Sequence, residues 1–83
     1  MTQTGDNNLG QYDIKGGNNA YTSTVTGYDN KTKLNIGNAN AATNLRNTVT
    51  ETVTGDTNTL VTSIVGNDNT STTTISGNTN TIT

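Results

Sequence analysis

Six side chains in this chain could do acid–base or metal chemistry: Asp6, Asp13, Asp29, Glu51, Asp56 and Asp68. There is no histidine and no cysteine to combine with them. Nucleophilic triads and the usual zinc ligand sets are thereby excluded, since each needs an imidazole or a thiolate. Four of the six, Asp6, Asp29, Asp56 and Asp68, stand one or two residues after a glycine. Aspartate suits such places because its short side chain bonds the local backbone of a turn. The competing reading is calcium held between stacked corners, but the glycine-aspartate nonapeptide of calcium-binding β-rolls is missing. The matches to a glycosylation acceptor at Asn30 ("NKT") and Asn69 ("NTS") arise readily in a chain so rich in both residues. The sequence points to no catalytic residue, no metal and no cofactor; the expectation is a protein that is not an enzyme.

The elements that carry these residues are unusual. Eighty-three residues allow one domain, yet the hydrophobic share is 27% with no Phe and no Trp. A chain of this size is marginal when it relies on an apolar core. Low hydrophobicity is also the mark of disorder, but disordered chains favour proline and charge. Here proline is absent and charge is 12%, while Thr, Val and Ile recur throughout; these favour strands by side-chain shape. A formal charge of −2, with Lys15, Lys31, Lys33 and Arg46 scattered, gives no basis for nucleic-acid binding. No apolar run is long enough for a membrane span, and no signal peptide is visible after Met1.

Repetition supplies what composition lacks. Seven segments read G-x-x-N: Gly5 with Asn8, Gly16 with Asn19, Gly27 with Asn30, Gly37 with Asn40, Gly55 with Asn58, Gly66 with Asn69 and Gly77 with Asn80. Seven of nine glycines thus carry Asn three residues on, where composition alone would give about two. The glycines are spaced 11, 11, 10, 18, 11 and 11 residues apart. Nine residues after a glycine come Ile14, Val25, Ile36, Ile64 and Ile75, and seven residues after it a mixed set, Tyr12, Ser23, Leu34, Asn44, Thr62 and Thr73. The even positions between them are largely threonine. Side chains alternate faces along a strand, so the motif asparagine and the aliphatic share one side, here taken as the inside.

Each unit then reads as a strand of about seven residues, ~23 Å long, entered through a G-x-x-N corner. The glycine takes positive φ freely, and Asn tolerates left-handed backbone and bonds its surroundings. Stacked in register, like residues superpose at ~4.8 Å, and Asn amides bond their neighbours' carbonyls along the column. A thin interior filled by such ladders replaces a bulky core. The predicted fold is all-β with no helix: an uncapped repeat β-solenoid of two stacked parallel sheets, about 11 residues per unit. One domain spans 1–83, with a longer irregular unit at 37–54. In that unit "NTVTETVT" makes a strand and "AATNLRN" an added loop or short strand, so that Arg46 and Glu51 mark a surface bulge.

These corners resemble those of the curlin repeat family of extracellular fibre proteins, whose G-x-G-N corners join strands with inward Asn and Gln ladders. Every unit matches the Gly and the Asn of that corner; Asn, Asp, Thr or Ala replaces the second glycine, and Gln3 and Gln11 are the only glutamines. The resemblance implies a two-sheet β-solenoid that polymerises, a functional amyloid fibre.

The leading expectation is a structural subunit that partners itself by strand-edge stacking into an extracellular fibre or appendage. In repeat numbering Met1 falls at position seven and Thr83 at position six, so one copy's phase runs on into the next. A trimeric β-helical spike or capsid decoration on a virion surface is the second expectation. The third is ice binding, or binding of another surface, through Thr-x-Thr faces. Such a face needs threonines at the same places on every rung of one sheet, and "QYDIK" and "KTKLN" break the series. Solvated β-propensity is therefore the preferred account of the threonines.

Overall fold

A computed structural model describes residues 1–37 and 45–83. Eight strands follow in chain order: β1 (Thr2–Thr4), β2 (Leu9–Ile14), β3 (Ala20–Thr26), β4 (Lys31–Ile36), β5 (Thr48–Thr54), β6 (Thr59–Ile64), β7 (Thr70–Ser76) and β8 (Thr81–Ile82). No helix occurs among the described residues. The strands form two four-stranded sheets, β1-β3-β5-β7 and β2-β4-β6-β8, and all six pairings are parallel. Each strand therefore pairs with the next but one, and successive strands alternate between sheets. Parallel pairing needs a connection that carries the chain away and back; here the intervening strand of the other sheet does that work.

Registration is in whole repeats. Thr2 lies beside Thr24, Ala20 beside Thr48 and Thr48 beside Thr70. A one-residue slip would turn every inward side chain outward, so the alternating pattern holds this register. Inward columns include Val25–Val53–Ile75 in the odd-strand sheet and Ile14–Ile36–Ile64 in the even-strand sheet. Two apolar clusters join the sheets. Val25, Val53 and Ile75 meet Leu60, while Leu34 and Ile36 meet Val49, with Tyr12, Tyr21 and Ile64 packed against them.

The ladder of aliphatics is uneven in burial. Val25, Ile36 and Ile75 are buried, Ile64 is partly covered, and Ile14 is 42% exposed because β2 is an edge strand with no rung beyond it. Val49, Val53, Leu34 and Leu60 complete the buried set.

The 37–54 unit departs from expectation in register. Ile14, Ile36 and Ile64 are aligned, so Gly37 stands beside Lys15 and Val65, one place before the level of Gly16 and Gly66. Asn40 and Asn44 lie outside the described residues. The corner is completed instead by Leu45, Arg46 and Asn47, and the strand that follows is in register with β3 and β7. That alignment carries Glu51 to the level of Ser23 and Thr73, on an inward-facing position. Glu51 is fully buried, a correction to its reading as a surface residue; Arg46 is exposed.

Candidate functional site: asparagine columns, a sealed glutamate and a threonine face

Corners are made by two left-handed residues. The glycine is one, with φ of 105° at Gly5 and 127° at Gly27; the other is the residue just before the asparagine, namely Asn7, Asn18, Asp29, Arg46, Thr57, Asp68 or Thr79. The motif asparagine itself is not left-handed, which corrects the role expected for it. Its side chain is turned inward for a different task. Thr57 and Thr79, with φ of 61°, hold a β-branched side chain in a conformation costing about 1–2 kcal/mol.

Two columns of asparagine run between the sheets at their opposite margins. One is Asn8–Asn30–Asn58–Asn80 and the other Asn19–Asn47–Asn69. The Asn8 Oδ1 accepts both the backbone N–H (3.1 Å) and the Nδ2 (3.2 Å) of Asn30, whose Nδ2 also donates to the Gly55 carbonyl at 2.7 Å. The Asn30 Oδ1 accepts the Asn58 amide at 2.9 Å, and the Asn58 Nδ2 reaches the Gly77 carbonyl at 2.7 Å. Asn47 repeats the pattern, donating to Asn19 Oδ1 at 2.9 and 3.1 Å and to Gly66 O at 2.8 Å, then accepting two bonds from Asn69. Asn30, Asn47 and Asn58 are buried, and at the start of each column Asn8 and Asn19 also donate to the carbonyls of Thr4 and Lys15 in their own corners. Asn47 was missed by the G-x-x-N pattern because its glycine is displaced by the inserted residues.

Position one of the corner forms a partial third ladder. The Asp56 Oδ1 accepts the Tyr28 amide at 3.0 Å, and the Asn78 Oδ1 accepts the Asp56 amide at 2.9 Å. Asp56 thus bonds the backbone of a stacked corner, as turn chemistry would have it. No three acidic groups converge on a metal-sized site among the described residues. At the opposite margin Arg46 pairs with Asp68, Nε to Oδ1 at 2.6 Å and Nη2 to Oδ2 at 2.8 Å, on the open surface. The hydrogen bond from that guanidinium holds the Asp68 carboxyl below its ordinary range.

Glu51 is the one buried carboxylate. The Tyr21 hydroxyl donates to its Oε2 at 2.8 Å, while its Oε1 and the Ser23 Oγ have no partner. Tyr21 stacks on Tyr12 with ring centroids 4.9 Å apart, and the Tyr12 hydroxyl and Thr32 Oγ1 lie 3.0 Å apart. Burial, reinforced by the adjacent carboxylate, pushes the Tyr21 hydroxyl far above the ordinary tyrosine range. Glu51 and Ser23 are buried, while Tyr12 and Tyr21 are partly covered. Buried charges with one partner are costly, and apolar replacement of the whole set is often stabilising. Tyr21→Phe is accordingly expected to destabilise by about 3 kcal/mol, because it strips the carboxylate of its last partner. Tyr21→Phe/Glu51→Leu is expected to exceed the parent by about 1–3 kcal/mol. Urea midpoints of the three proteins check the reversal.

The outward faces of the two sheets differ sharply. On the odd-strand sheet twelve of fourteen outward positions are threonine, with Ala20 and Ser76 the others. On the even-strand sheet the outward residues include Leu9, Gln11, Lys31, Lys33 and Val61, and only Thr59 and Thr81 are threonine. The segments "QYDIK" and "KTKLN", which interrupt the threonine series in the sequence, belong to β2 and β4. They therefore leave the odd-strand face unbroken, and the objection to a regular array falls away. No family model matches the chain, and no curated protein or solved structure matches it either.

Proposed function

We propose that the chain is a β-solenoid with two strands to the turn, and that its work is structural: copies pair edge to edge into a fibre or appendage, outside the cell or on a virion. The observation that carries this reading is the complementarity of the two ends. At one end the inward Ile14 is 42% exposed, and the Asn8 backbone N–H has no ladder acceptor beneath it among the described residues, its Nδ2 being taken by the Thr4 and Gly27 carbonyls. At the other, Ile82 is 40% exposed, and the Asn80 Oδ1 receives no ladder bond where the Asn58 Oδ1 receives two. One end of the column thus offers a donor and the other an acceptor. Unpaired parallel strand edges add rows of backbone N–H and C=O groups. A contact between unlike ends is head-to-tail, and such contacts propagate into open filaments. The likeness of the corners to curlin repeats supports the same reading. A spike in which three chains wrap one axis has less behind it, since this chain supplies both sheets of its own interior.

Electron microscopy of the purified 83-residue chain tests the proposal. The expected result is unbranched filaments with a ~4.8 Å axial repeat. Ile82→Lys, which sets a charge on the open edge, is expected to abolish them while the circular dichroism of the monomer stays β-rich. Parent protein that remains monomeric as its concentration is raised would sink the reading.

A further inference from the structure

The geometry points to a second activity on a different surface: the threonine face of the odd-strand sheet is a binding site for ice. Its outward residues stand in straight columns, among them Thr22–Thr50–Thr72 and Thr24–Thr52–Thr74. Neighbours in a column are ~4.8 Å apart, and successive outward residues on a strand ~6.6 Å apart. The result is a rectangular grid in two dimensions, with one hydroxyl and one methyl at nearly every point.

A preference of threonine for strands does not account for this. Both sheets need strand-forming residues equally, and both have a solvent face. Only one of the two faces is threonine, so the asymmetry requires a reason on the outside of that sheet. β-Branching restricts χ1, and the ladders beneath hold the backbone in register. The hydroxyls are therefore ordered before anything binds, and little side-chain freedom remains to be lost.

Charge selects the occupant. None of the fourteen outward positions is charged; Asp13, Lys31 and Lys33 lie on the opposite face, and Asp56, Arg46 and Asp68 at corners. A polyanion, a polycation or a charged mineral finds nothing to pair with. The complementary surface is neutral, rigid, periodic in two dimensions and equally rich in donors and acceptors. Ice has all four properties. Water molecules bonded to the hydroxyl rows, with methyls between them, make a layer that a growing ice surface can incorporate. A second copy is a poorer fit: the face measures ~20 by ~14 Å, so a face-to-face pair buries only ~600 Å², below the ~1,000 Å² of a specific interface.

The test uses the intact chain and two kinds of variant, each confirmed as folded by circular dichroism. Thermal hysteresis, ice-crystal shape and partition into a slowly growing ice front are measured. The parent is expected to facet ice and to enter the front. Thr50→Lys and Thr52→Lys, in the middle of the grid, are expected to lose both properties, whereas Val61→Lys on the opposite face keeps them. Folded parent that is rejected from ice like an inert protein overturns the inference. So does equal behaviour of Thr50→Lys and Val61→Lys, self-association through the threonine face, or binding confined to crystalline polysaccharide.

Discussion

Asn30→Leu is expected to remove about 3–5 kcal/mol of stability, most of what a chain of this size can hold. The substituted side chain has nearly the volume of the original and is apolar, so a loss of packing is not the cause. The loss comes from what the amide was holding. Asn30 Oδ1 accepts the buried Asn58 amide, and its Nδ2 donates to the Gly55 carbonyl and to Asn8 Oδ1. Leucine leaves a backbone N–H and a backbone C=O without partners inside a dry seam, at about 1–3 kcal/mol each. Asn80→Leu provides the comparison. It sits at the end of the same column, receives no ladder bond, and leaves the Asn58 Oδ1 still bonded by the residue 80 amide at 3.0 Å. Its cost should be near 1 kcal/mol. Urea denaturation of both variants beside the parent gives the answer, and equal midpoints would mean that the columns are not what holds the rungs together.

Gly27→Ala is expected to be as damaging, for a reason lodged in the backbone. Gly27 has φ of 127°, and a Cβ there would land on the carbonyl oxygen of Gly55 in the next rung. That oxygen is the acceptor for Asn30 Nδ2, so a methyl group at residue 27 both pries the rungs apart and breaks the column. Left-handed strain of about 1–2 kcal/mol and overpacking of about 1–3 kcal/mol combine to roughly 2–5 kcal/mol. Gly66→Ala separates the two contributions. Gly66 has φ of 114°, but among the described residues its added Cβ meets only the end of the Asn69 side chain at 3.4 Å. That variant carries the strain without the collision, and its midpoint should fall between those of the parent and Gly27→Ala.

Much of this architecture was legible because its determinants are local and repeated. A glycine followed three residues later by asparagine marks a corner, and alternation after it marks which side is inward. From these the all-β class, the two parallel sheets and the levels of Val25, Ile36 and Ile75 follow. The failures cluster where the repeat is interrupted. Gly37 and Asn40 satisfy the motif by spelling, but registration is set by strand pairing, and pairing aligns Asn47 with Asn19 and Asn69. The expectation of an added loop at "AATNLRN" carries Glu51 with Arg46 to a surface bulge, whereas strand pairing puts Glu51 on an inward position. Counting from Asn47 instead, with "NTVTETVT" as the strand, would have sent Glu51 inward.

The regularity of the threonine face turns on a related point, since neighbours in space are alternate units and not successive ones. Thr24 has Thr2 and Thr52 beside it, not the residues of β2 or β4. Ile14 shows the remaining limit: its place in the repeat is inward, but burial depends on whether a rung lies above it, and position within a repeat carries no such information.

Ala20 and Thr48 are 28 residues apart in the chain and Thr48 and Thr70 only 22, yet both pairs sit side by side. Extra length between two strands therefore leaves their registration unchanged. The margins, not the sheets, are where this architecture tolerates growth of the chain by insertion.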